Sequence, residues 1–400
     1  QIIMANVSSS NGLEKRPKLA FRRADGSSFP SWSRTSLSSI IEPYSEKVYG
    51  EHKYEVLTSS REGLQRQVDH FGSEQRHDTD GYNVIPFGYC TYRNRSDDGR
   101  FAFNINTISS NAIVSKFYPV FRFTNANSLF MSEFLNSSSR AKKKLSVLAV
   151  GTSQVVLSFE ALKAADFDLP CKDEQDKIAS FFECLNRRIE YQRTLVDALK
   201  KYKRGVLSVA FGKYGSICSW QTTPYPFAEL ASRRSEKYDP RSGEQMPCVE
   251  LEHIEQETGR IIGSIPSTQQ NSIKGVCKSG DTLFGKLRPY LRKYAFVKKD
   301  MVCSSEIWSL VPSETIIPEY LFYLVQTDEF IKIANISSGT KMPRAEWSNI
   351  EKSVFSVPNK EVQAQIVQTL RGLDSRMLDA IDMLGELQLM KEGLLRQLFI

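Results

Sequence analysis

Basic side chains gather in three short stretches of the second half of the chain, and tyrosines stand among them. Lysine and arginine neutralise phosphates, and arginine also forks onto O6 and N7 of guanine, so such clusters can both position and read duplex DNA. The candidate DNA contacts in this half are Arg233, Arg234, Lys237, Tyr238, Arg241, Lys286, Arg288, Tyr290, Arg292, Lys293, Lys341 and Arg344. A solvated basic face explains any one of them nearly as well, so the pattern favours DNA contact only for the clusters taken together.

A more dispersed basic set occupies the first half of the chain. Its candidate DNA contacts are Arg61, Arg66, Arg76, Tyr92, Arg93, Arg95, Lys142, Lys143 and Lys144. The formal net charge of +7 and the isoelectric point near 8.9 are mild for a nucleic-acid binder, but they have the right sign.

Motifs for catalysis are absent from the sequence. It has no Gly-rich loop ending in Lys-Ser/Thr, no Gly-rich turn of a nucleotide or methyl-donor fold, and no Asn/Asp-Pro-Pro-aromatic run typical of amino-methyltransferases. The neighbouring acids Glu250 and Glu252 indicate a nuclease no better than chance does. We therefore expect no catalytic residue and no cofactor.

The cysteines and histidines indicate no metal site. The seven cysteines are Cys90, Cys171, Cys184, Cys218, Cys248, Cys277 and Cys303, and their scattered spacing fits neither a disulfide framework nor zinc. The four histidines, His52, His70, His77 and His253, show no ligand pairing. We expect no metal.

The chain repeats itself, because residues 151–211 align with residues 339–399 without a gap at a constant offset of 188. Such self-similarity fixes the architecture before any local pattern does. The matched pairs are Gly151-Thr152 with Gly339-Thr340, Pro170 with Pro358, Gln175 with Gln363, Ile178 with Ile366, Leu185 with Leu373, Leu199 with Leu387, Lys203 with Lys391, Gly205 with Gly393 and Phe211 with Phe399. The repeat predicts two similar halves, each ending in a Gly-Thr element, a short strand and a long helix.

The predicted helices cover residues 170–212 and 358–400. Apolar residues recur at coiled-coil spacing in both, including Ile178, Leu185, Leu199, Ile366, Leu373 and Leu387. At about 1.5 Å per residue each helix would reach roughly 60 Å, a length that calls for a partner. We expect antiparallel pairing of the two helices, with each folding back onto its own domain as the alternative. Gly205 and Gly393, both unfavourable in helices, suggest close packing or a partner contact.

The regions before the helices, residues 17–169 and 213–357, have the pattern of mixed α/β domains. Apolar runs bounded by Gly, Pro, Asn and Ser predict strands at 54–57, 82–85, 117–121, 247–251, 281–284, 294–297 and 307–311, and a helix at 318–335. The polar residues 1–16 are predicted to be a flexible arm. The fold class is thus α/β (α+β), with two tandem domains, two long antiparallel helices and internal pseudo-twofold symmetry.

Composition indicates a cytoplasmic protein. With 40% apolar and 11% aromatic residues, the chain can bury two cores. No stretch approaches the roughly 18 apolar residues of a membrane helix, and no signal peptide is evident.

Several motifs together resemble one family, the specificity subunits of type I restriction-modification systems. In the second half these are GDTLFGKLRPYLRK at 280–293, CSSE at 303–306, PEYLFYL at 318–324, Gly339-Thr340, Pro358 and KEGLL at 391–395. In the first half they are YEVLTSSREG at 54–63, Pro170, Glu174-Gln175 and KIA at 177–179. The resemblance covers nearly the whole chain. One departure is Val362, which stands where the first repeat has Glu174.

The resemblance implies a non-catalytic DNA-binding subunit. Residues 17–169 and 213–357 would be target recognition domains that each read half of a split DNA sequence, and the helices would hold the halves apart. Two methyltransferase subunits, with translocase or restriction subunits, would be the partners and supply the chemistry. A pseudo-twofold arrangement of two different readers suits an asymmetric bipartite site, as protein dimers suit palindromes.

Two other interpretations remain open from the sequence. The chain could be the recognition part of a fused modification or cleavage enzyme, although the missing catalytic motifs oppose an enzyme. It could also be a coiled-coil adaptor with no nucleic-acid role, which salt-sensitive binding to duplex DNA would exclude.

Overall fold

The computed structural model describes residues 4–5, 19–72, 78–212, 220–242, 244–336 and 342–399. The chain forms two compact units: unit 1 comprises residues 1–190 with 385–400, and unit 2 comprises residues 191–384. Each unit combines helices with several small sheets, which confirms the predicted α/β (α+β) class with two tandem domains. Most of the predicted flexible arm and the Gly339-Thr340 element lie outside the described residues.

The α-helices of the described chain are short apart from two. They are α1 (Gln67–Phe71), α2 (Ser128–Ser137), α3 (Ser139–Leu148), α4 (Phe159–Lys163), α5 (Lys172–Phe211), α6 (Phe227–Leu230), α7 (Pro318–Leu324), α8 (Asp328–Ala334), α9 (Trp347–Glu351) and α10 (Lys360–Leu398). Within the described residues, no helix is long and apolar enough to cross a bilayer.

Unit 1 carries the first group of strands. They are β1 (Met4–Ala5), β2 (Leu19–Ala20), β3 (Ser33–Ser36), β4 (Ile41–Tyr44), β5 (Glu55–Ser60), β6 (Gly63–Arg66), β7 (Asn83–Val84), β8 (Cys90–Tyr92), β9 (Arg95–Ser96), β10 (Phe103–Ile105), β11 (Ala112–Val114), β12 (Val120–Phe123), β13 (Val155–Val156) and β14 (Asp166–Leu169). Two four-stranded sheets have the orders β10-β8-β12-β4 and β6-β5-β11-β7, and only β11 and β5 pair in parallel among these described strands.

Unit 2 carries the second group. Its strands are β15 (Thr222–Pro226), β16 (Ala231–Arg233), β17 (Lys237–Tyr238), β18 (Pro247–Val249), β19 (Ile265–Pro266), β20 (Lys274–Cys277), β21 (Thr282–Gly285), β22 (Tyr294–Phe296), β23 (Met301–Cys303), β24 (Ile307–Pro312) and β25 (Val354–Pro358). The sheet orders are β16-β24-β21-β22 and β17-β20-β23-β18-β19, with β15 paired to β25. A core of aromatic and aliphatic side chains fills this unit, including Phe227, Phe284, Tyr320 and Phe330.

The two long helices confirm the prediction from the apolar repeat. Within unit 2 they run antiparallel, since the Gln192 side chain donates to the carbonyl of Ala380 over 2.9 Å while Lys203, later on α5, lies 2.6 Å from Asp374, earlier on α10. Within unit 1, the rings of Phe182 and Phe399 lie 6.5 Å apart at opposite ends of the two helices. The stripe is buried only in part, because a second row made of Leu195, Tyr202 and Val209 is exposed.

The repeat extends to individual hydrogen bonds at the helix starts. The side-chain oxygen of Gln175 accepts the amide of Asn127, and the Gln175 amide donates to Pro170, both over 2.9 Å. Gln363 does the same at its own helix, accepting the amide of Ile317 over 2.8 Å and donating to Pro358 over 2.9 Å. Each glutamine therefore ties a long helix to the proline just before it and to the residue that begins α2 or α7. Buried backbone groups need such partners.

The structure explains why glycine stands at position 151, in the Gly-Thr element of the first repeat. Its φ is +138°, and a Cβ there would lie 2.3 Å from the carbonyl oxygen of Gln154. A side chain is therefore incompatible with this turn.

Two predictions about helices need correction. The predicted helix at 318–335 is two helices, because the Thr327 hydroxyl accepts the amide of Phe330 over 3.2 Å and caps a new helix. Gly205 and Gly393 do not mark close packing within the described chain, because a Cβ on either would meet nothing within 4 Å beyond the backbone of its own helix, and a partner contact there stays a prediction.

Glu174 makes the first helix start sensitive to pH. Burial raises the pKa of this carboxyl to about 7, and one of its oxygens is buried without a hydrogen-bond partner among the described residues. Since the folded pKa exceeds the unfolded one near 4.5, the stabilising contribution is complete below about pH 4.5 and is lost as pH rises through 7.

We expect a Glu174→Gln variant to be more stable than the wild type above pH 7, by about 1–3 kcal/mol. The advantage should shrink toward pH 4.5, because the wild-type carboxyl is then protonated and resembles the amide. Thermal unfolding at a series of pH values measures this, and an advantage that does not change with pH would contradict it.

Candidate nucleic-acid interface

A cleft of about 640 Å³ on unit 2 brings together four of the predicted DNA contacts, Arg233, Arg234, Lys237 and Lys286. The strand pairing explains why. β16 and β21 flank β24 and both pair antiparallel with it, so they run in the same direction, and they end with Arg233 opposite Leu310 and Gly285 opposite Ile307. Arg233 is the last residue of β16, and Lys286 directly follows β21. Two basic side chains distant in sequence therefore lie toward the same end of these strands, on either side of β24.

Arg233 lies against two indole rings, which meet edge to face with their centres 5.6 Å apart. Its guanidinium carbon lies 4.9 Å from the ring centre of Trp347 and 5.9 Å from that of Trp308. Such cation–π contacts fix the orientation of the guanidinium while leaving its N–H donors usable. Arg233 is exposed and has no ion-pair partner among the described residues, so its oriented guanidinium is accessible to an anion or a hydrogen-bond acceptor.

Arg288 and Arg344 lie next to this cleft through backbone contacts. The Arg288 amide donates to the carbonyl of Pro343, and the Ala345 amide donates to Lys286, both over 2.8 Å. Arg288 has a left-handed φ of 51°, which is strained for a side-chain-bearing residue. Tyr290, in the short turn that follows, is 49% exposed. The segment 286–290 thus presents Lys286, Arg288 and Tyr290 on one strained turn.

Four arginines of the second-half set pair with carboxylates: Arg292 with Asp328, Arg344 with Glu306 over 3.1 Å while it stays exposed, and the two described next. The Arg234 guanidinium donates to both oxygens of the buried Asp281 over 2.6 and 2.8 Å, and these bonds raise its pKa. Arg241 pairs with Asp239 over 3.0 Å but remains 80% exposed. We therefore withdraw Arg234 as a DNA contact, because a buried carboxylate already occupies it, and retain Arg241.

Other members of the set belong to the interior. Tyr238 is only 8% exposed, and its hydroxyl lies 2.9 Å from Ser267 Oγ. Lys293 is partly buried and its ammonium donates to the carbonyl of Leu251 over 2.7 Å. These two are structural and are withdrawn from the proposed interface. Lys341 lies outside the described residues.

Arg292 also serves the fold. Its guanidinium donates to the carbonyl of Gln326 over 3.1 Å and pairs with Asp328, and its side chain is 18% exposed. Arg292 is therefore withdrawn as a DNA contact. Its role is to fasten the turn that carries Arg288 to the start of α8.

We expect Arg292→Ala to lower the stability of unit 2 by about 1–2 kcal/mol and to leave the salt dependence of DNA binding unchanged. The matched variant Arg288→Ala should keep the melting temperature and reduce the salt slope by about one unit, as loss of a phosphate contact does. Thermal unfolding and DNA affinity at several salt concentrations measure both, and the reverse pattern would contradict these assignments.

In unit 1 the basic side chains surround the loop of residues 93–100. Arg93 and Arg95 are exposed at its start, and the Arg95 guanidinium lies 5.3 Å from the ring centre of Phe117. Arg61, from the turn between β5 and β6, pairs with Asp98 of the loop over 2.6 Å. These three residues from the predicted set therefore share one surface.

Lys142 on α3 adds to this surface. Partial burial and the nearby positive charge of Arg100 lower its pKa. A lysine held next to a like charge favours an anion, because the anion relieves the repulsion. Lys143 is exposed on the same helix.

Three first-half candidates are placed elsewhere. Tyr92 has no exposed surface and its hydroxyl donates to the carbonyl of Leu157 over 3.0 Å, so it is a core residue and is withdrawn. Lys144 is partly buried against Asp166 and is withdrawn for the same reason as Arg234. Arg66 pairs with Glu55 over 2.5 Å but stays half-exposed. Arg76 lies outside the described residues.

Reasoning from the sequence missed three residues of these surfaces: Arg100, Trp308 and Trp347. Arg100 is 74% exposed, but it follows two aspartates that mask its charge in the sequence. The tryptophans lie on β24 and α9, far from Arg233 in sequence, and only the fold brings them to it.

Comparison with known proteins identifies the family to which this architecture belongs. The model of the type I restriction modification DNA specificity domain matches residues 42–201 and again residues 231–382. The chain belongs to this family. Each match covers one sheet-containing region and a large part of the long helix that follows it, so the family unit occurs twice, as the internal repeat predicts.

A sequence relative agrees with this family. Residues of the chain are 32% identical over 112 positions to the Type I restriction enzyme HindI specificity subunit of Haemophilus influenzae, and the match covers 26% of this chain and 24% of that protein. The chain thus spans about a quarter of that relative's length.

The fold is similar to two solved type I chains. The S subunit of a type I restriction-modification system from M. genitalium superposes with a TM-score of 0.57 at 15% identity, covering 96% of this chain and 99% of that one. A chain from a study of complex assembly and conformational transition of the type I R-M system gives a TM-score of 0.53 at 15% identity, covering 92% and 98%. At this identity the likeness concerns the fold of the family.

Proposed function

We propose that the chain is the DNA-specificity subunit of a type I restriction-modification complex, and that each unit reads one half of a bipartite duplex site. The observation that carries the proposal is the duplication of the family domain with a different basic surface on each copy. In unit 2 the surface is the cleft with Arg233, Lys237 and Lys286, and in unit 1 it is the loop 93–100 with Lys142. Different side chains on equivalent frames imply different half-sites.

The proposed contacts combine reading with positioning. Arg233, oriented by its contacts with two indole rings, can fork onto guanine, whereas Lys286 and Lys142 supply point charges for phosphates. The proposed set is Arg61, Arg66, Arg93, Arg95, Lys142, Lys143, Arg233, Lys237, Arg241, Lys286, Arg288, Tyr290 and Arg344, to which Arg100 is added. Arg76 and Lys341 remain candidates from the sequence.

The paired helices α5 and α10 set the distance between half-sites in this proposal. Their antiparallel contact and nearly equal lengths of 40 and 39 residues suit a spacer of fixed length. A change in both lengths together should alter the spacer of the DNA site.

Methyltransferase subunits are the proposed partners, two per chain, with translocase or restriction subunits in the full complex. Within unit 2, α5 and α10 form an apolar groove of about 810 Å³ that includes Tyr202, Gly205, Val209, Trp220 and Ile366. Tyr202 is 61% exposed, an unusual state for a tyrosine in an apolar groove unless a partner covers it. The chain itself is proposed to be non-catalytic and to work in the cytoplasm, where host DNA lies.

Single-molecule methylome sequencing tests this function. A methylation-deficient host receives this chain with its methyltransferase partner, and a control host receives the methyltransferase alone. We expect methylation of one asymmetric two-part motif with a fixed spacer, and only when both proteins are present. Methylation of a continuous motif, or methylation independent of this chain, would overturn the proposal.

A further inference from the structure

A lysine of one long helix is buried against the other helix in unit 2. Lys203 on α5 has a side chain only 4% exposed, and its ammonium lies 2.6 Å from a carboxylate oxygen of Asp374 on α10. The second carboxylate oxygen of Asp374 accepts the hydroxyl of Tyr323, which lies on the recognition-domain helix α7, over 2.9 Å. Three elements meet at this one carboxylate.

Unit 1 has a corresponding cluster with a different distribution of charge. Lys391 on α10 lies 2.9 Å from Glu133, which is on the recognition-domain helix α2. The same oxygen of Glu133 accepts the side-chain amide of Asn186 on α5 over 3.2 Å. The side chains of Lys391 and Glu133 are 25% and 22% exposed.

The two clusters occupy equivalent positions of the repeat. Lys203 matches Lys391, and Asn186 matches Asp374, at the same offset of 188. Glu133 and Tyr323 also correspond, since each follows, by the same number of residues, the amide that Gln175 or Gln363 accepts. The carboxylate therefore sits on the spacer helix in unit 2 and on the recognition domain in unit 1, while the lysine keeps its place.

We propose that each cluster is a lock of one lysine and one carboxylate that fastens a recognition domain to the helix pair, and that either the spacer helix or the recognition domain can supply the carboxylate. A lysine buried without a carboxylate is costly, and two carboxylates on one lysine repel each other. A second-half recognition domain moved to the first position would bring a tyrosine in place of Glu133. It would then require Asn186→Asp on the first helix.

The test moves the carboxylate within unit 1 of the full-length chain. We expect Glu133→Gln to lower the melting temperature by about 3 °C or more, since Lys391 loses its counter-charge. Asn186→Asp added to Glu133→Gln should recover at least half of that loss. The same Asn186→Asp change in the wild type should give no gain, because a carboxylate is already present.

The matched control is Glu183→Gln, which removes a carboxylate from an exposed i,i+4 pair with Arg187 on the same helix. It should change the melting temperature by less than about 1 °C. An equal effect of Asn186→Asp in both backgrounds, or a loss from Glu133→Gln no greater than that of the control, would overturn the proposal.

A second pair of variants keeps the proposal testable if Glu133→Gln does not fold. In unit 2, Asp374→Asn should destabilise the chain, and Tyr323→Glu should lower the melting temperature less in the Asp374→Asn background than in the wild type, because the loss of the buried ring is common to both and only the first background needs a new carboxylate. An equal loss from Tyr323→Glu in both backgrounds would contradict interchangeable carboxylates. Melting temperature is measured without DNA, so these outcomes are independent of whether the chain reads a bipartite site.

Discussion

Replacing Arg233 with alanine should weaken binding of the assembled complex to its own duplex by about 5- to 150-fold and relax the choice of base at one position. The expected loss is that of a base-reading arginine, about 1–3 kcal/mol. Trp308 and Trp347 hold the guanidinium in place before DNA arrives, so little side-chain entropy remains to be lost on binding. Affinity for the cognate duplex and for duplexes changed one base pair at a time measures the effect.

Arg371→Ala is a suitable control for this variant, because Arg371 is an exposed arginine that pairs with Glu319 away from the cleft. It should leave affinity within about twofold. If Arg233→Ala weakened all sequences alike, Arg233 would contact a phosphate. An unaltered affinity would show that the indole contacts are only structural.

Phe399→Ala should destabilise unit 1 by about 3–5 kcal/mol, the usual cost of removing a buried aromatic ring. Phe399 is 2% exposed, and its ring centre lies 5.7 Å from that of Phe130 and 5.5 Å from that of Phe134 on α2. The ring thus fastens the end of α10 to the recognition domain. Denaturant unfolding of the full chain, monitored with an amide-exchange readout on α2, measures the loss.

Phe117→Ala provides the comparison for Phe399→Ala, since Phe117 is a phenylalanine of the same unit that is 51% exposed. We expect it to cost less than about 1 kcal/mol. Equal costs for the two variants would mean that Phe399 does not anchor the helix.

The long helices could be predicted because their signals are local. Pro170 and Pro358 precede each start, and Ile178, Ile366 and their heptad partners mark the buried stripe. The continuous apolar content of residues 318–335 predicts a single helix. In the structure, the Thr327 hydroxyl caps a second helix within this range.

The basic surfaces could be predicted only as clusters. Arg234, Lys144 and Arg292 resemble their exposed neighbours in the sequence, yet each pairs with a carboxylate that is distant along the chain, at Asp281, Asp166 and Asp328. Pairing over such separations depends on the folded sheet, which residue type and spacing do not encode. The same limit hid the two tryptophans beside Arg233.

The lock clusters show what a repeat can and cannot reveal. The match of Lys203 with Lys391 is visible in the sequence, but it gives no reason for a lysine on an apolar stripe. Each lysine faces a carboxylate, which explains its place on the stripe. The carboxylate belongs to Asp374 in unit 2 and to Glu133 in unit 1, so the two positions do not match in the sequence although the local charge is balanced in both units.

The most direct test of the central claim replaces residues 222–358, from the start of β15 to the end of β25, with the corresponding segment of another family member. The methylated motif of the host is then sequenced with the methyltransferase partner present. We expect one half-site to change to that of the donor while the other half-site and the spacer stay the same. A motif in which both halves change together, or in which neither changes although methylation persists, would contradict one reader per unit.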